Sequence, residues 1–214
     1  MSDLKQHIAS AFDRDLEGIQ ARILKMGGLV EEAILDAAKS LETRDEELAG
    51  KVVKGDRAID ALDEELNDEA ARLIALRQPA ASDLRTVLSV MRMSSNLERI
   101  GDLSKNMAKR TGVLAQLTQI NGSTAALRRM ARDVELMLKD ALDAYIRRDD
   151  AMALDVIDRD RDVDQMYNAL FREFLTFMME DPRNITACMH LHFIAKNIER
   201  MGDHVTSICE QVVF

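Results

Sequence analysis

The sequence predicts an all-α protein made of two tandem, pseudo-symmetric three-helix bundles, with six long antiparallel helices and an elongated shape. Three observations support this prediction. Apolar residues recur at steps of three and four over long stretches. The chain is 47% hydrophobic and 31% charged, with two prolines, no tryptophan and 4% aromatic residues, which favours amphipathic helices over sheets. The second half repeats the pattern of the first.

The first helix is predicted over residues 4–43, where the apolar side chains follow one helical face. The pair Gly27-Gly28 is the weak point of this prediction, because a kink there is an alternative. Thr43 and Asp45 offer side-chain oxygens that could cap the next helix, and acidic residues follow them as they do in a first helical turn.

The second helix is predicted from Glu46 to about Gln78, where Pro79 interrupts the pattern. The third is predicted from Ser82 to about Leu117. The polar segment 118–123 contains a glycine and is interpreted as the linker between the two halves.

An internal repeat relates the two halves. Before the prolines, matching residues lie 104 positions apart (Asp45 and Asp149 are one such pair), and beyond Pro79 and Pro182 the offset falls to 101. A repeat of this length indicates two copies of a three-helix unit. We therefore predict a first bundle over 1–117 and a second over 124–214.

A seven-residue motif occurs once in each half, as Asn96–Asp102 and as Asn197–Asp203, with five identical positions. Each copy separates a Glu from an Asp by four residues, so both carboxylates share one helical face. Each copy also contains a Gly inside a helix, which is less favourable than Ala by about 1 kcal/mol. Its recurrence indicates that another group approaches the backbone closely at that point.

The helix before each motif carries a matching acidic pair. At about 100° per residue, all of these carboxylates are predicted to lie opposite the apolar stripe and to face outward. Each bundle could then gather four carboxylates on one surface. These acidic pairs are Asp56 with Asp60 and Glu98 with Asp102 in the first bundle, and Asp160 with Asp164 and Glu199 with Asp203 in the second.

The sequence alone allows two interpretations of these acidic pairs. Since 38 of the 214 residues are acidic, several such pairs are expected by chance as solvated helix surface. The recurrence with Asn, Arg and Gly at matching places favours a cation site instead. Oxygen-only ligands suit hard ions such as Mg²⁺, Ca²⁺, Mn²⁺ or iron.

Other polar residues near the motifs each have two possible roles. Arg99 and Arg200 either hold the carboxylates in place without touching a cation, or are ordinary surface residues. Asn96 and Asn197 are predicted to form hydrogen bonds between helices. His192 lies on the carboxylate stripe, where a surface role is favoured over an auxiliary ligand.

Composition and simple sequence patterns argue against several classes of function. A formal charge of −9 argues against binding nucleic acid. No apolar run approaches a membrane span, and Met1–Leu4 does not start a signal peptide. Cys188 and Cys209 fit neither a metal motif nor a disulfide framework. We therefore expect a soluble, intracellular protein.

An enzyme is the alternative class. A carboxylate-bridged di-metal oxidase or hydrolase could use a helical bundle as its scaffold. The Glu-x-x-His ligand pairs typical of such enzymes are absent, because no Glu stands three residues before any of the four histidines. A purely structural bundle is a third alternative.

Several segments of the chain together are typical of one known family. They are the paired Glu-Arg-apolar-Gly-Asp stretches, Met26–Val30, Arg77–Arg85, and Tyr167–Asp181. On these segments, and over essentially its whole length, the sequence resembles the PhoU family of bacterial phosphate-uptake regulators.

The resemblance implies two symmetric three-helix bundles with mono- or multinuclear metal clusters on their surfaces, held by the eight carboxylates named above. It leaves the metal open among magnesium, manganese, calcium, iron and zinc. It also implies a regulatory role, in which the protein restrains phosphate uptake and the phosphate-starvation response. The implied partners are the ATPase of the phosphate ABC transporter and a sensor histidine kinase. Members are typically cytoplasmic, act at the inner membrane and are often homodimers.

Overall fold

Six long helices and one short helix make up the protein in a computed structural model, which describes the backbone of residues 2–213 and the side chains of residues 14–81 and 83–213. The described chain contains no strand, which confirms the predicted fold class. The helices are α1 (Ser2–Thr43), α2 (Glu46–Arg77), α3 (Ala81–Ala108), α4 (Thr111–Ala115), α5 (Ser123–Arg147), α6 (Asp150–Glu180) and α7 (Ile185–Val213), with a 3-10 turn at Pro182–Asn184.

The same tight turn joins the first two helices of each half. Asp45 caps α2 by accepting a bond of 2.9 Å from the Leu48 N–H, and Asp149 caps α6 by accepting one of 3.0 Å from Met152. Arg44 and Arg148, the residues before these caps, both have left-handed φ angles, of 54° and 52°. This local repetition matches the sequence offset of 104.

The two bundles pack side by side. Helices α1, α2 and α3 pack on one another, as do α5, α6 and α7, while α1 contacts α5 and α3 contacts α7. The buried apolar residues of both halves form one continuous core. The helix α1 continues through Gly27, where a side chain would meet the Cδ1 atom of Leu142 at 2.3 Å. Glycine at this position therefore lets α5 approach α1 closely.

The prediction for the end of the third helix was wrong, because α3 ends at Ala108 and not near Leu117. The Arg110 N–H bonds to the Met107 carbonyl at 3.1 Å, which tightens the chain into a turn. Two tertiary contacts hold that turn. The hydroxyl groups of Thr111 and Ser40 lie 3.0 Å apart in the core, and the Arg110 guanidinium lies 4.8 Å from the centre of the Phe193 ring of α7.

Within residues 2–213, none of the helices combines the length and the apolar character that crossing a bilayer requires.

Candidate functional site

The glycine of each repeated motif lies where the preceding helix passes closest. A Cβ atom on Gly101 of α3 would lie 3.0 Å from the Cδ1 atom of Ile59 and 3.6 Å from the Oδ1 atom of Asp56, both on α2. A Cβ atom on Gly202 of α7 would lie 2.5 Å from the Oδ1 atom of Asp160 on α6. In the second bundle the glycine thus makes room for Asp160, whereas in the first it makes room for Ile59, with Asp56 next to it at an ordinary contact distance.

The four predicted acids of the first bundle, here called the first quartet, influence one another electrostatically. They are Asp56, Asp60, Glu98 and Asp102. Partial desolvation and then the charge of Asp56 raise the pKa of Asp60. Desolvation also raises the pKa of Glu98, against the lowering effect of Arg99, and Asp102 and Asp60 raise it further. Carboxylates from α2 and α3 therefore share one electrostatic site.

The prediction that Asp56 faces outward was wrong, since this residue is only 5% exposed. It lies between α2 and α3, beneath the side chain of Lys105 on α3. The Lys105 ammonium donates one hydrogen bond to the Oδ2 atom of Asp56 and another, with a length of 2.5 Å, to the Oδ1 atom of Asp102. These bonds to Asp102 and Asp56 raise the pKa of Lys105 above its usual range. The chain therefore places its own cation inside the first quartet.

The other oxygen of Asp56 has no such partner. Its Oδ1 atom is buried, and no described group forms a hydrogen bond with it. A buried carboxylate oxygen is costly to leave unpaired, by about 1–3 kcal/mol. This orphaned acceptor, together with the oxygen-only composition of the quartet, suits a hard cation.

Asp63 also belongs to this site, although the sequence did not single it out as a ligand. Its Oδ1 atom accepts hydrogen bonds from the Ser94 hydroxyl at 2.6 Å and from the Asn67 amide at 3.1 Å. Its charge contributes to the raised pKa values of Asp60 and Glu98. Its spacing of three residues from Asp60 was the available signal, because that spacing also keeps two side chains on one face.

The acids of the second bundle form the second quartet, namely Asp160, Asp164, Glu199 and Asp203. Desolvation, followed by the charges of Asp164, Asp203 and Glu199, raises the pKa of Asp160 to about 6. Thr206 occupies the position that matches Lys105, and its hydroxyl donates to the Asp203 carbonyl at 2.8 Å. In the part of the chain whose side chains are described, no Lys or Arg pairs with Asp160, Asp164 or Asp203.

The cation of the second bundle lies elsewhere, on Glu199. The Lys196 ammonium is 2.6 Å from the Oε1 atom of Glu199 and 2.5 Å from its Oε2 atom. The same ammonium lies 5.3 Å from the centre of the Tyr167 ring. Tyr167 and Phe171 stand at the positions that match Asp63 and Asn67, so aromatic rings replace the additional acid and amide of the first bundle.

The predicted auxiliary residues have different surroundings. Arg99 lies 3.5 Å from the Oε2 atom of Glu98 and 3.9 Å from the Oδ2 atom of Asp102, as a residue that holds these carboxylates would. Arg200 is exposed and forms no ion pair with the described residues, but its charge helps to lower the pKa of His204, which burial lowers first.

His192 packs in an aromatic cluster. Its ring centre lies 5.8 Å from that of Tyr167, 5.1 Å from that of Phe171 and 6.0 Å from that of Phe193. Burial and then the charge of Lys196 lower its pKa, and its Nδ1 atom is buried without a hydrogen-bond partner among the described groups. The ring therefore sits beside the second quartet in apolar surroundings.

Hydrogen bonding between the bundles involves the motif asparagine of only one half. Asn96 of α3 accepts a bond of 2.9 Å at Oδ1 from the Nδ1 atom of His204 on α7, as predicted for a contact between helices. Asn197 forms no side-chain hydrogen bond within the described structure. The Asn96 amide also donates to the Arg92 carbonyl at 2.9 Å, which fixes its orientation.

The quartets are gathered but are not arranged as finished metal sites. No three His, Cys, Asp or Glu side chains of the described residues stand in positions from which all could ligate one ion. In the first quartet, the Lys105 ammonium keeps the carboxylates of Asp56 and Asp102 on either side of itself. Holding a metal there requires Lys105 to withdraw and the carboxylates to rotate. The donor chemistry fits a hard cation, and the side-chain positions have to adjust.

Comparisons with known proteins identify the family. A family model for the PhoU domain matches residues 23–111 and again residues 127–212. The chain belongs to the PhoU family. One matched range lies in each half of the internal repeat.

Individual relatives are similar over almost their whole length. The phosphate-specific transport system accessory protein PhoU homolog of Caulobacter vibrioides is 44% identical over 99% of this chain and 92% of its own. The homolog of Zymomonas mobilis is 46% identical over 97% of this chain and 87% of its own.

Two solved PhoU structures have the same fold. The crystal structure of PhoU from Pseudomonas aeruginosa superposes with a TM-score of 0.91 at 37% identity, covering 94% of this chain and 97% of that one. The PhoU structure from Streptococcus pneumoniae gives a TM-score of 0.85 at 32% identity, with coverage of 94% and 95%.

The second quartet predicts a pH dependence of stability in this PhoU protein. The pKa of Asp160 in the folded protein is about 6, above the ordinary 3.8. Protonation of Asp160 therefore contributes fully to the free energy of unfolding below pH 3.8, and this contribution is lost as the pH rises through 6. With EDTA present, Asp160→Asn should raise the melting temperature at pH 8 by about 2–4 °C, or roughly 1 kcal/mol after solvent screening, and should give no gain at pH 4.

The control for this experiment is Asp162→Asn, which changes an exposed acid of the same helix. Calorimetry at the two pH values compares both variants with the native protein. If both variants raise the melting temperature equally at pH 8, the effect comes from the change in net charge and not from the position of Asp160 within the second quartet.

Proposed function

We propose that this protein regulates phosphate uptake and represses the phosphate-starvation response by binding other proteins, without catalysing a reaction. Its match to the PhoU domain over both halves is the observation that carries the proposal. Relatives matched over almost their full length are named as accessory proteins of a phosphate-specific transport system. An accessory role needs surfaces for partners and does not require a catalytic centre.

The proposed partners are the ATPase of the phosphate ABC transporter and a sensor histidine kinase. Contact with both would let one protein link the transport state to gene expression. The protein would then act in the cytoplasm at the inner face of the membrane, reaching it through its partners, and would work as a homodimer.

The two quartets are proposed as sites for hard metal ions within this adaptor. Asp56, Asp60, Glu98 and Asp102 would hold one centre, and Asp160, Asp164, Glu199 and Asp203 the other, mono- or multinuclear in each case. Magnesium, manganese, calcium, iron and zinc all remain candidates. A bound cation would supply positive charge that offsets the repulsion between the carboxylates.

The residues of this chain make the two centres unequal. Lys105 already neutralises part of the first quartet, whereas Thr206 stands at the matching position in the second. Arg99 would steady Glu98 and Asp102 in the first bundle. In the second, Lys196 pairs with Glu199 alone, which leaves Asp160, Asp164 and Asp203 without a competing cation among the described residues. We therefore expect the second quartet to bind metal more tightly than the first.

Replacing the internal ammonium tests this inequality. Lys105→Met should add a second tight site for Mn²⁺ to the one expected in the native protein, since Asp56 and Asp102 lose their competitor. Without metal, the variant should lose roughly 3 kcal/mol of unfolding free energy, because the buried Asp56 is left without its partner. Equilibrium dialysis with elemental analysis measures the stoichiometry, and urea denaturation measures the stability.

The matched control is Lys109→Met, at an exposed position just beyond the end of the same helix. It should leave both the manganese stoichiometry and the stability as they are in the native protein. If the native protein and Lys105→Met bind the same number of manganese ions, the Lys105 ammonium does not compete with metal for the first quartet.

Removing one ligand from each quartet tests the proposed signalling role. In cells grown on ample phosphate, Glu98→Ala combined with Glu199→Ala should derepress a phosphate-starvation reporter toward the level of a deletion strain. Immunoblotting confirms that the variant accumulates. The control, Glu65→Ala combined with Glu173→Ala, removes two exposed glutamates from α2 and α6 and should retain repression. Full repression by the first variant would argue against a regulatory role for the quartets.

A further inference from the structure

A second polar site lies in the first bundle, away from both quartets. It is a pocket of about 410 Å³ between α1 and the C-terminal part of α2, a volume within the usual range for small-molecule sites. Arg14 and Arg22 of α1 and Arg72 and Arg77 of α2 line it, and we call it the arginine pocket. Four arginines around one pocket are unexpected in a chain whose formal charge is −9.

Two acids of the pocket hold two of these arginines in place. An Nη2–Oε1 distance of 2.9 Å joins Arg22 to Glu69, and an Nη2–Oδ2 distance of 3.1 Å joins Arg77 to Asp15. The Nη1 atom of Arg22 also donates to the Gly18 carbonyl at 3.1 Å. These bonds orient the guanidinium groups of Arg22 and Arg77, and the described lining of the pocket holds four arginines and two acids.

The pocket also has an open floor and an apolar wall. Gly18 lies within α1, and a Cβ atom there would meet nothing closer than the Nη1 atom of Arg22 at 3.5 Å. Helix packing therefore does not require glycine at this position, but a larger side chain would fill the pocket. Leu73 is buried at its base, while the neighbouring Leu76 is 73% exposed and gives the pocket an apolar edge.

The second bundle shows that the fold does not need this arrangement. At the offset of 104, Ala126, Thr176 and Asp181 take the places of Arg22, Arg72 and Arg77. Helix α5 begins at Ser123, after the position that corresponds to Arg14. The same three-helix unit is therefore built without any of the four arginines. In the first bundle Arg22 and Arg77 also join α1 to α2 through Glu69 and Asp15, but the repeat shows that the fold does not depend on these pairs.

We propose that the arginine pocket binds a phosphorylated small molecule. Guanidinium groups match the oxygen geometry of a phosphoryl group, and they bind it through paired, charge-assisted hydrogen bonds. Within the described structure, Arg72 lines the pocket without an ion pair to its two acids, and its guanidinium can bind the phosphoryl group directly. The organic part of the ligand lies against Leu73 and Leu76. This site is separate from the quartets and does not depend on whether they hold metal.

Calorimetric titration at 150 mM salt tests the proposal with orthophosphate, pyrophosphate, ADP and succinate as probes. We expect saturable one-to-one binding of pyrophosphate or ADP, and weaker or no binding of succinate. Binding of ADP in preference to pyrophosphate identifies an organic phosphate as the ligand class. The reverse order, or binding of orthophosphate alone, identifies an inorganic source.

Two variants locate the binding. Arg72→Gln should weaken it by about tenfold through the loss of one charge-assisted contact. Gly18→Leu should abolish it by filling the floor of the pocket, in a substitution that favours the helix. Arg129→Gln, which removes an exposed arginine of α5, makes the same change in net charge outside the pocket and should bind as the native protein does.

Thermal melts accompany each titration to show that the variants are folded. Three results would overturn the proposal. One is a lack of saturable binding by every phosphorylated probe, another is succinate binding as tight as that of ADP and pyrophosphate, and the third is equal weakening by Arg72→Gln and Arg129→Gln.

Discussion

The close approach of two helices at a glycine is the contact on which the rest of this structure depends. Gly101 and Gly202 have no Cβ atom, so Ile59 of α2 can pack directly against the backbone of α3, and Asp160 of α6 against that of α7. This contact brings the acidic pairs of two helices close enough to affect one another's pKa values in each bundle. A methyl group at either glycine would have to displace the aspartate or the packing beside it.

Carboxylates that lie close together repel one another, and the two bundles offset this repulsion differently. In the first bundle, the Lys105 ammonium lies between Asp56 and Asp102 and neutralises part of their charge. The second leaves Asp160 without an ion pair in the described structure, and burial, followed by repulsion from Asp164, Asp203 and Glu199, raises the pKa of Asp160 to about 6. Duplication has thus preserved the position of the acids while allowing the balancing charge to differ.

The periodicity of the sequence predicted the architecture because long amphipathic helices and a duplicated motif leave little freedom in the choice of fold. It could not predict that Asp56 is buried, because a helical projection of one helix ignores how closely its neighbour passes. The same limitation explains the wrong end of α3, since Arg110 and Thr111 end it through contacts with Phe193 and Ser40 in distant helices.

Other features of the site were within reach of the sequence. Lys105 follows Asp102 by three residues, the spacing at which a Lys and an Asp meet on one helical face. The aromatic surroundings of His192 were not accessible in that way, because Tyr167 and Phe171 reach it from another helix. Pairing within a helix can be inferred from spacing, whereas pairing between helices needs their crossing geometry.

Anomalous diffraction from crystals of this protein soaked in Mn²⁺ is the most direct test that the glycine contacts assemble cation sites. The account predicts an anomalous peak among the carboxylates of Asp160, Glu199 and Asp203, with α6 and α7 still in contact at Gly202. Manganese bound only at acids outside both quartets, or a quartet whose carboxylates lie apart with no ion between them, would contradict it.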